Sequence, residues 1–131
     1  MNLLLDTHAF LWYHSGSSNL SHNARFAIEN PVNDFFVSMA SLWEISIKNG
    51  LGKLDLDAPL DTFFKDVIQK GFNLMPIDPS HILKSATLPF HHRDPFDRVI
   101  IGQALAEQMS VVTKDSLFQP YCSTSALQLI W

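Results

Sequence analysis

A chain of 131 residues, 47% hydrophobic and 17% charged, is long and apolar enough to bury a proper core as one domain over residues 1–131. Its formal charge of −4 argues against a broad nucleic-acid-binding surface, though not against an enzyme that meets nucleic acid at a local site. The single cysteine, Cys122, excludes an internal disulfide framework and a cysteine-based zinc site, and no stretch approaches the roughly 18 apolar residues of a membrane span. No basic region precedes the short apolar run at the N-terminus, and Asp6 interrupts that run, so no signal peptide is expected. The expectation is a soluble cytoplasmic protein.

In chain order, Leu3 to Leu5 reads as a short strand buried on both faces. Thr7 to His14 reads as a helix, stopped by Ser15-Gly16-Ser17-Ser18. Ser21 caps a helix through about Glu29, ended by Pro31. Asp34 to Ser38 is a second strand, and Ser38 caps a helix through Asn49 with Gly50 as its stop. After the loop "GLGKLDLDAP", Leu60 to Lys70 is helical and Phe72 to Ile77 is a third strand. Pro79 to about Leu88 is a helix, Pro89 to Pro95 a loop, and Pro95 to Gln108 a long helix. Ser110 to Thr113 is a fourth strand and Ala126 to Ile130 a fifth. Strands alternating with helices predict an α/β domain with a mainly parallel sheet.

Four carboxylates occupy telling places. Asp6 and Asp115 each follow a predicted strand, and ligands of open α/β sheets bind beyond the carboxyl ends of strands. Asp97 lies in the first turn, and Glu44 in the second turn, of helices that begin at that same edge. Each also has a local explanation. Asp94, followed by Pro95, is a good N-cap, and Asp97 then suits the helix dipole. Glu44 and Lys48 are four apart, which permits a surface ion pair. Yet Leu42, Trp43, Ile45 and Ile47 leave only a narrow polar stripe of Ser41, Glu44 and Lys48, which suits a lined cavity on a mostly buried helix. Asp115 can cap a short helix over Ser116-Leu117-Phe118. Asp6 has no obvious local partner. Like charges gathered at one edge cost energy without a cation. Oxygen-only ligation points to one or two hard divalent ions, Mg²⁺ or Mn²⁺.

The stretches "LLLDTHAFLW", "VSMASLWEISIKNGLGKL" and "LPFHHRDPFDRVIIGQALAEQMSVVTKD" together resemble the PIN-domain family, and within it the VapC-like toxins of bacterial type II toxin–antitoxin systems. The resemblance spans essentially the whole chain. It implies a three-layer α/β/α sandwich with a parallel sheet and a metal-dependent ribonuclease activity. It maps the family's four acids, catalytic and metal-binding, onto Asp6, Glu44, Asp97 and Asp115. Thr7 and Thr113 match small hydroxyl residues flanking the first and last acids, and Asp94 belongs to the "HHRDPFDR" signature of one subgroup; these three are accessory candidates. It also implies an antitoxin partner.

The expected reaction is hydrolysis of an RNA phosphodiester without a covalent intermediate, assisted by Mg²⁺ or Mn²⁺ held by those acids. His91, His92, Arg93, Arg98 and Lys114 are candidates to grip the RNA backbone. His8 is read as a structural side chain near the site. Phe10, Trp12 and Tyr13 read as core, or as part of a surface for an antitoxin helix or the second copy of a homodimer. Two rivals remain. One is a non-catalytic module of the same fold acting only through its partner. The other is a phosphohydrolase with Asp6 as nucleophile, which His8 weakens by standing where such enzymes carry a second acid.

Overall fold

The computed structural model describes residues 1–131. Five strands, β1 (Asn2–Leu5), β2 (Asp34–Ser38), β3 (Asn73–Met75), β4 (Ser110–Val112) and β5 (Gln128–Ile130), form one all-parallel sheet in the order β3-β2-β1-β4-β5. β1 is central: Leu5 pairs with Val37 on one side and Val112 on the other. Leu3, Leu4 and Leu5 are all 0% exposed, which a strand covered on both faces requires. Their side chains alternate between two cores. Leu3 and Leu5 pack with Phe10, Ile28, Ile45 and Phe63, whereas Leu4 packs with Ile100, Ile101, Phe118 and Tyr121.

The first core is closed by α1 (Thr7–Ser15), α2 (His22–Glu29), α3 (Met39–Gly50) and α4 (Leu60–Gln69). The opposite face carries α5 (Pro79–Ala86), α6 (Pro95–Ala106) and α7 (Pro120–Thr124). The result is the three-layer α/β/α arrangement. No helix is long and apolar enough to cross a membrane.

The chain steps from β1 outward to β2 and β3, then returns to the far side of β1 as β4. The strand order therefore reverses between β1 and β4, and the crevice at their carboxyl ends is where such sheets hold ligands. Several elements differ from the sequence reading. β3 spans three residues because Pro76 cannot continue the ladder. α6 stops at Ala106; Glu107 ends it and Gln108 turns the chain with φ 55° into β4. α7 was not expected, because five residues carry too little periodicity to read.

Candidate functional site

Asp6 leaves β1 directly into α1. Its Oδ1 accepts the Ala9 amide at 2.8 Å and its Oδ2 accepts the Thr113 hydroxyl at 2.5 Å. The side chain thus has a local partner that the sequence reading did not give it: it is the N-cap of α1. The Thr113 hydroxyl also accepts the Asp115 amide at 3.0 Å, so one threonine ties the ends of β1 and β4 together. Asp6 is 4% exposed, and burial raises its pKa against the pull of those hydrogen bonds.

Ser38 caps α3 by accepting the Ala40 amide, and the helix brings Glu44 to the same edge. The Thr7 hydroxyl donates to Glu44 Oε1 at 2.6 Å and lies 3.0 Å from Ser41 Oγ. Lys48 Nζ donates to Glu44 Oε2 at 2.5 Å. α3 is less buried than its sequence suggested. Trp43 is 61% exposed and Ile47 39%, so two of its apolar residues face outward while the stripe of Ser41 and Glu44 is buried.

Asp94 caps α6, accepting the Phe96 amide at 2.9 Å and the Asp97 amide at 3.3 Å. Asp97 stands in the first turn. Its carboxyl is pushed up to about 8, by burial first and then by the charges of Asp94, Glu44, Asp6 and Asp115. Four carboxylates therefore act on Asp97 at a single sheet edge. Asp115 caps the short 3₁₀ turn Ser116–Phe118 through Oδ1, leaving Oδ2 turned toward His92.

His92 is a correction. It is buried, and its Nε2 lies 2.9 Å from Asp115 Oδ2 and 3.1 Å from Asp97 Oδ2. It joins two acids from within instead of reaching outward for a phosphate. Arg98 is a second correction. Its guanidinium is buried and donates to the carbonyls of Ser85, Leu88, Pro89 and His92 at 3.0–3.2 Å. The two terminal nitrogens of the fork gather four backbone carbonyls, from Ser85 of α5 and from the loop that follows, instead of pointing outward for RNA. Tyr121 completes this clamp, donating to the Pro89 carbonyl at 2.6 Å and accepting the His92 amide at 2.9 Å. His91, Arg93 and Lys114 are exposed at the rim. His8 is exposed too, not buried, although its charge reaches Asp6. Phe10 is core, while Trp12 and Tyr13 are half-buried against it.

The donor atoms of His92, Asp97 and Asp115 lie within 4.8 Å of one another; Asp6 and Glu44 stand outside that group and bear on Asp97 through their charges. An oxygen-rich set in which burial and neighbouring negative charge both push the Asp97 carboxyl up fits a hard divalent cation. Asp78, His81 and Glu107 also converge within 4.8 Å. There His81 Nδ1 accepts the Asp78 amide at 3.0 Å and Nε2 faces Glu107 at 2.9 Å. Both ring nitrogens are spent, Nδ1 on capping α5 and Nε2 on tying α5 to the end of α6.

The family model described as "PIN domain" matches residues 3–122. A search of curated proteins gave no match. Among solved structures, a chain of VapBC2 from Rickettsia felis, bound to a DNA fragment from its promoter, is similar with TM-score 0.69 and 16% identity, over 98% of this chain and 97% of that one. A chain of VapBC-1 from nontypeable Haemophilus influenzae gives 0.68 and 18%, over 98% and 96%. A chain of FitAcB from Neisseria gonorrhoeae gives 0.64 and 14%, over 97% and 95%.

Proposed function

The chain belongs to the PIN-domain family, and from that premise we propose that it is a Mg²⁺- or Mn²⁺-dependent endoribonuclease, the toxin of a toxin–antitoxin pair. One observation carries this reading. Asp97 is drawn in beside Asp94, Glu44, Asp6 and Asp115 at one sheet edge, and its carboxyl is pushed up to about 8, by burial first and then by those four charges. A fold tolerates that concentration of charge where a cation offsets it.

Asp6, Glu44, Asp97 and Asp115 are the residues that would hold the ion. Their oxygens are pre-aimed: Ala9 and Thr113 fix Asp6, Thr7 fixes Glu44, and His92 fixes Asp97 and Asp115. The ion, when bound, acidifies water and offsets charge on the phosphoryl group under attack. Ionised carboxylates beside it orient that water and accept its proton. His91, Arg93 and Lys114, exposed around this edge, suit contacts to the RNA backbone. An antitoxin partner is supported by the solved neighbours, whose descriptions include a toxin–antitoxin complex from Klebsiella pneumoniae and a VapBC toxin–antitoxin family member from Mycobacterium tuberculosis. The exposed apolar side chains Trp43, Ile47 and Ile68 support a homodimer.

The test is single-stranded RNA incubated with purified protein and Mg²⁺ or Mn²⁺. Cleavage should appear with the ion, stop in EDTA, and be absent in a folded Asp6→Asn variant. Asn at this position still accepts the Ala9 amide, so the cap of α1 survives. Undiminished cleavage in chelator overturns the metal reading. A folded protein that binds RNA without cutting it, with either ion, favours the non-catalytic module.

A further inference from the structure

Lys48 reaches into the acid cluster from one turn below Glu44 on α3. An ordinary helix-surface pair is solvated on both sides and contributes little. This one is lopsided. The Glu44 side chain is 4% exposed and the Lys48 side chain 39%. Thr7 takes Glu44 Oε1, and Lys48 alone takes Oε2 at 2.5 Å. The charges of Asp94 and Asp97 also act on the ammonium. A positive charge on a flexible four-carbon stem therefore closes the open side of a buried carboxylate, beside the acids assigned above to the metal.

We propose that Lys48 is a tethered competitor for the divalent cation: its ammonium holds Glu44 Oε2, and the ion gains that oxygen only by displacing it. This rests on the metal reading of the four acids and adds a regulatory element to their site. The competition has a direction that a supporting role would not have. A residue that merely aims Glu44 would strengthen metal binding, and its loss would weaken it. A competing cation weakens metal binding, and its loss tightens it. Lys48 would thereby set the free-cation concentration at which the site fills, while keeping Glu44 paired below that concentration.

The experiment measures Mn²⁺ affinity by electron paramagnetic resonance of the free ion, with no RNA present. Lys48→Met keeps most of the stem and removes the charge. Its Mn²⁺ dissociation constant should fall by about tenfold or more, while Lys48→Arg stays within about twofold of the parent. In chelator Lys48→Met should melt below the parent, because Glu44 is left buried without its ion partner, and saturating Mn²⁺ should erase that difference. If Lys48→Met does not fold, the parent protein decides the matter. Its lysines are reductively methylated with ¹³C-formaldehyde, and the Lys48 signal is assigned by its loss in Lys48→Arg. That signal should shift on saturation with Mg²⁺. Unchanged or weaker Mn²⁺ binding in Lys48→Met, or a Lys48 signal indifferent to Mg²⁺, overturns the competition and leaves the four-acid metal site standing. Absence of Mn²⁺ binding by both parent and variant overturns the metal reading and this proposal with it.

Discussion

Asp97 shows how one side chain records the charge of its neighbours. Its ordinary value of 3.8 becomes about 8, with burial the largest cause and four carboxylates adding to it. The folded protein thus retains a proton that the unfolded chain releases above about pH 4. The associated stability is complete below the unfolded value and is lost as pH rises through the folded one. Asp6, also raised by burial, acts in the same direction. In EDTA, the melting temperature should therefore fall between about pH 4 and pH 8. Asp97→Asn should flatten most of that slope and exceed the parent at the alkaline end, by on the order of a few kcal/mol. A slope unchanged by the substitution would place the pH dependence elsewhere. That these carboxylates lie at one sheet edge was legible at this scale, because their positions follow strand ends and helix starts. The fates of His92 and Arg98 were not. Four basic side chains within eight positions look alike in sequence, and only packing shows that Arg98 is spent on backbone carbonyls and His92 on Asp97 and Asp115.

At the scale of elements, the α5–α6 pair holds the acid-bearing end of α6 against the loop that carries His92. Gly102 permits that pair to close. A Cβ there would sit 2.8 Å from the His81 carbonyl oxygen and 3.0 Å from the Ser85 amide nitrogen. Alanine gains about 1 kcal/mol of helix propensity over glycine in a free helix. Overpacking costs typically about 1–3 kcal/mol, and here the obstructing atoms are backbone, which cannot rotate away. The clash should win, so Gly102→Ala should lose about 1–2 kcal/mol in urea denaturation and cleave RNA more slowly as Asp97 shifts. A stabilised variant would show that α5 yields freely. Element boundaries were legible wherever a cap was: Ser21, Ser38 and Asp94 accept the amides their sequence positions promise, and Gly16 ends α1 with φ 69°. α7 and the turn at Gln108 were not, since tertiary contacts set them: Tyr121 of α7 is fully buried against the second core.

At the scale of the whole molecule, alternating strands and helices were enough to read a parallel sheet, because a run such as Leu3-Leu4-Leu5 has nowhere to go but between two layers. The strand order was not legible. It depends on which edge the chain takes after β3, and short parallel strands carry no local mark of their neighbours. That order matters to the chemistry, since the reversal between β1 and β4 is what sets Asp6 beside Thr113. Only the folded topology gathers the acids; in the unfolded chain they are scattered over more than a hundred positions, from Asp6 to Asp115. A divalent cation should consequently bind the folded state far better than the unfolded one and stabilise it by mass action, about 2.7 kcal/mol at a concentration a hundredfold above its dissociation constant. The gain should also grow with pH. At about pH 6 the ion must displace the Asp97 proton, whereas above about 8 that carboxylate is already ionised. Melting in Mn²⁺ against EDTA at about pH 6 and pH 9, with monovalent salt matched, measures both effects. The shift should be larger at the higher pH and should shrink sharply in Glu44→Gln. An equal shift at both pH values, or one that survives loss of the Glu44 charge, would mean that the ion stabilises the fold from somewhere other than the edge where β1 and β4 end.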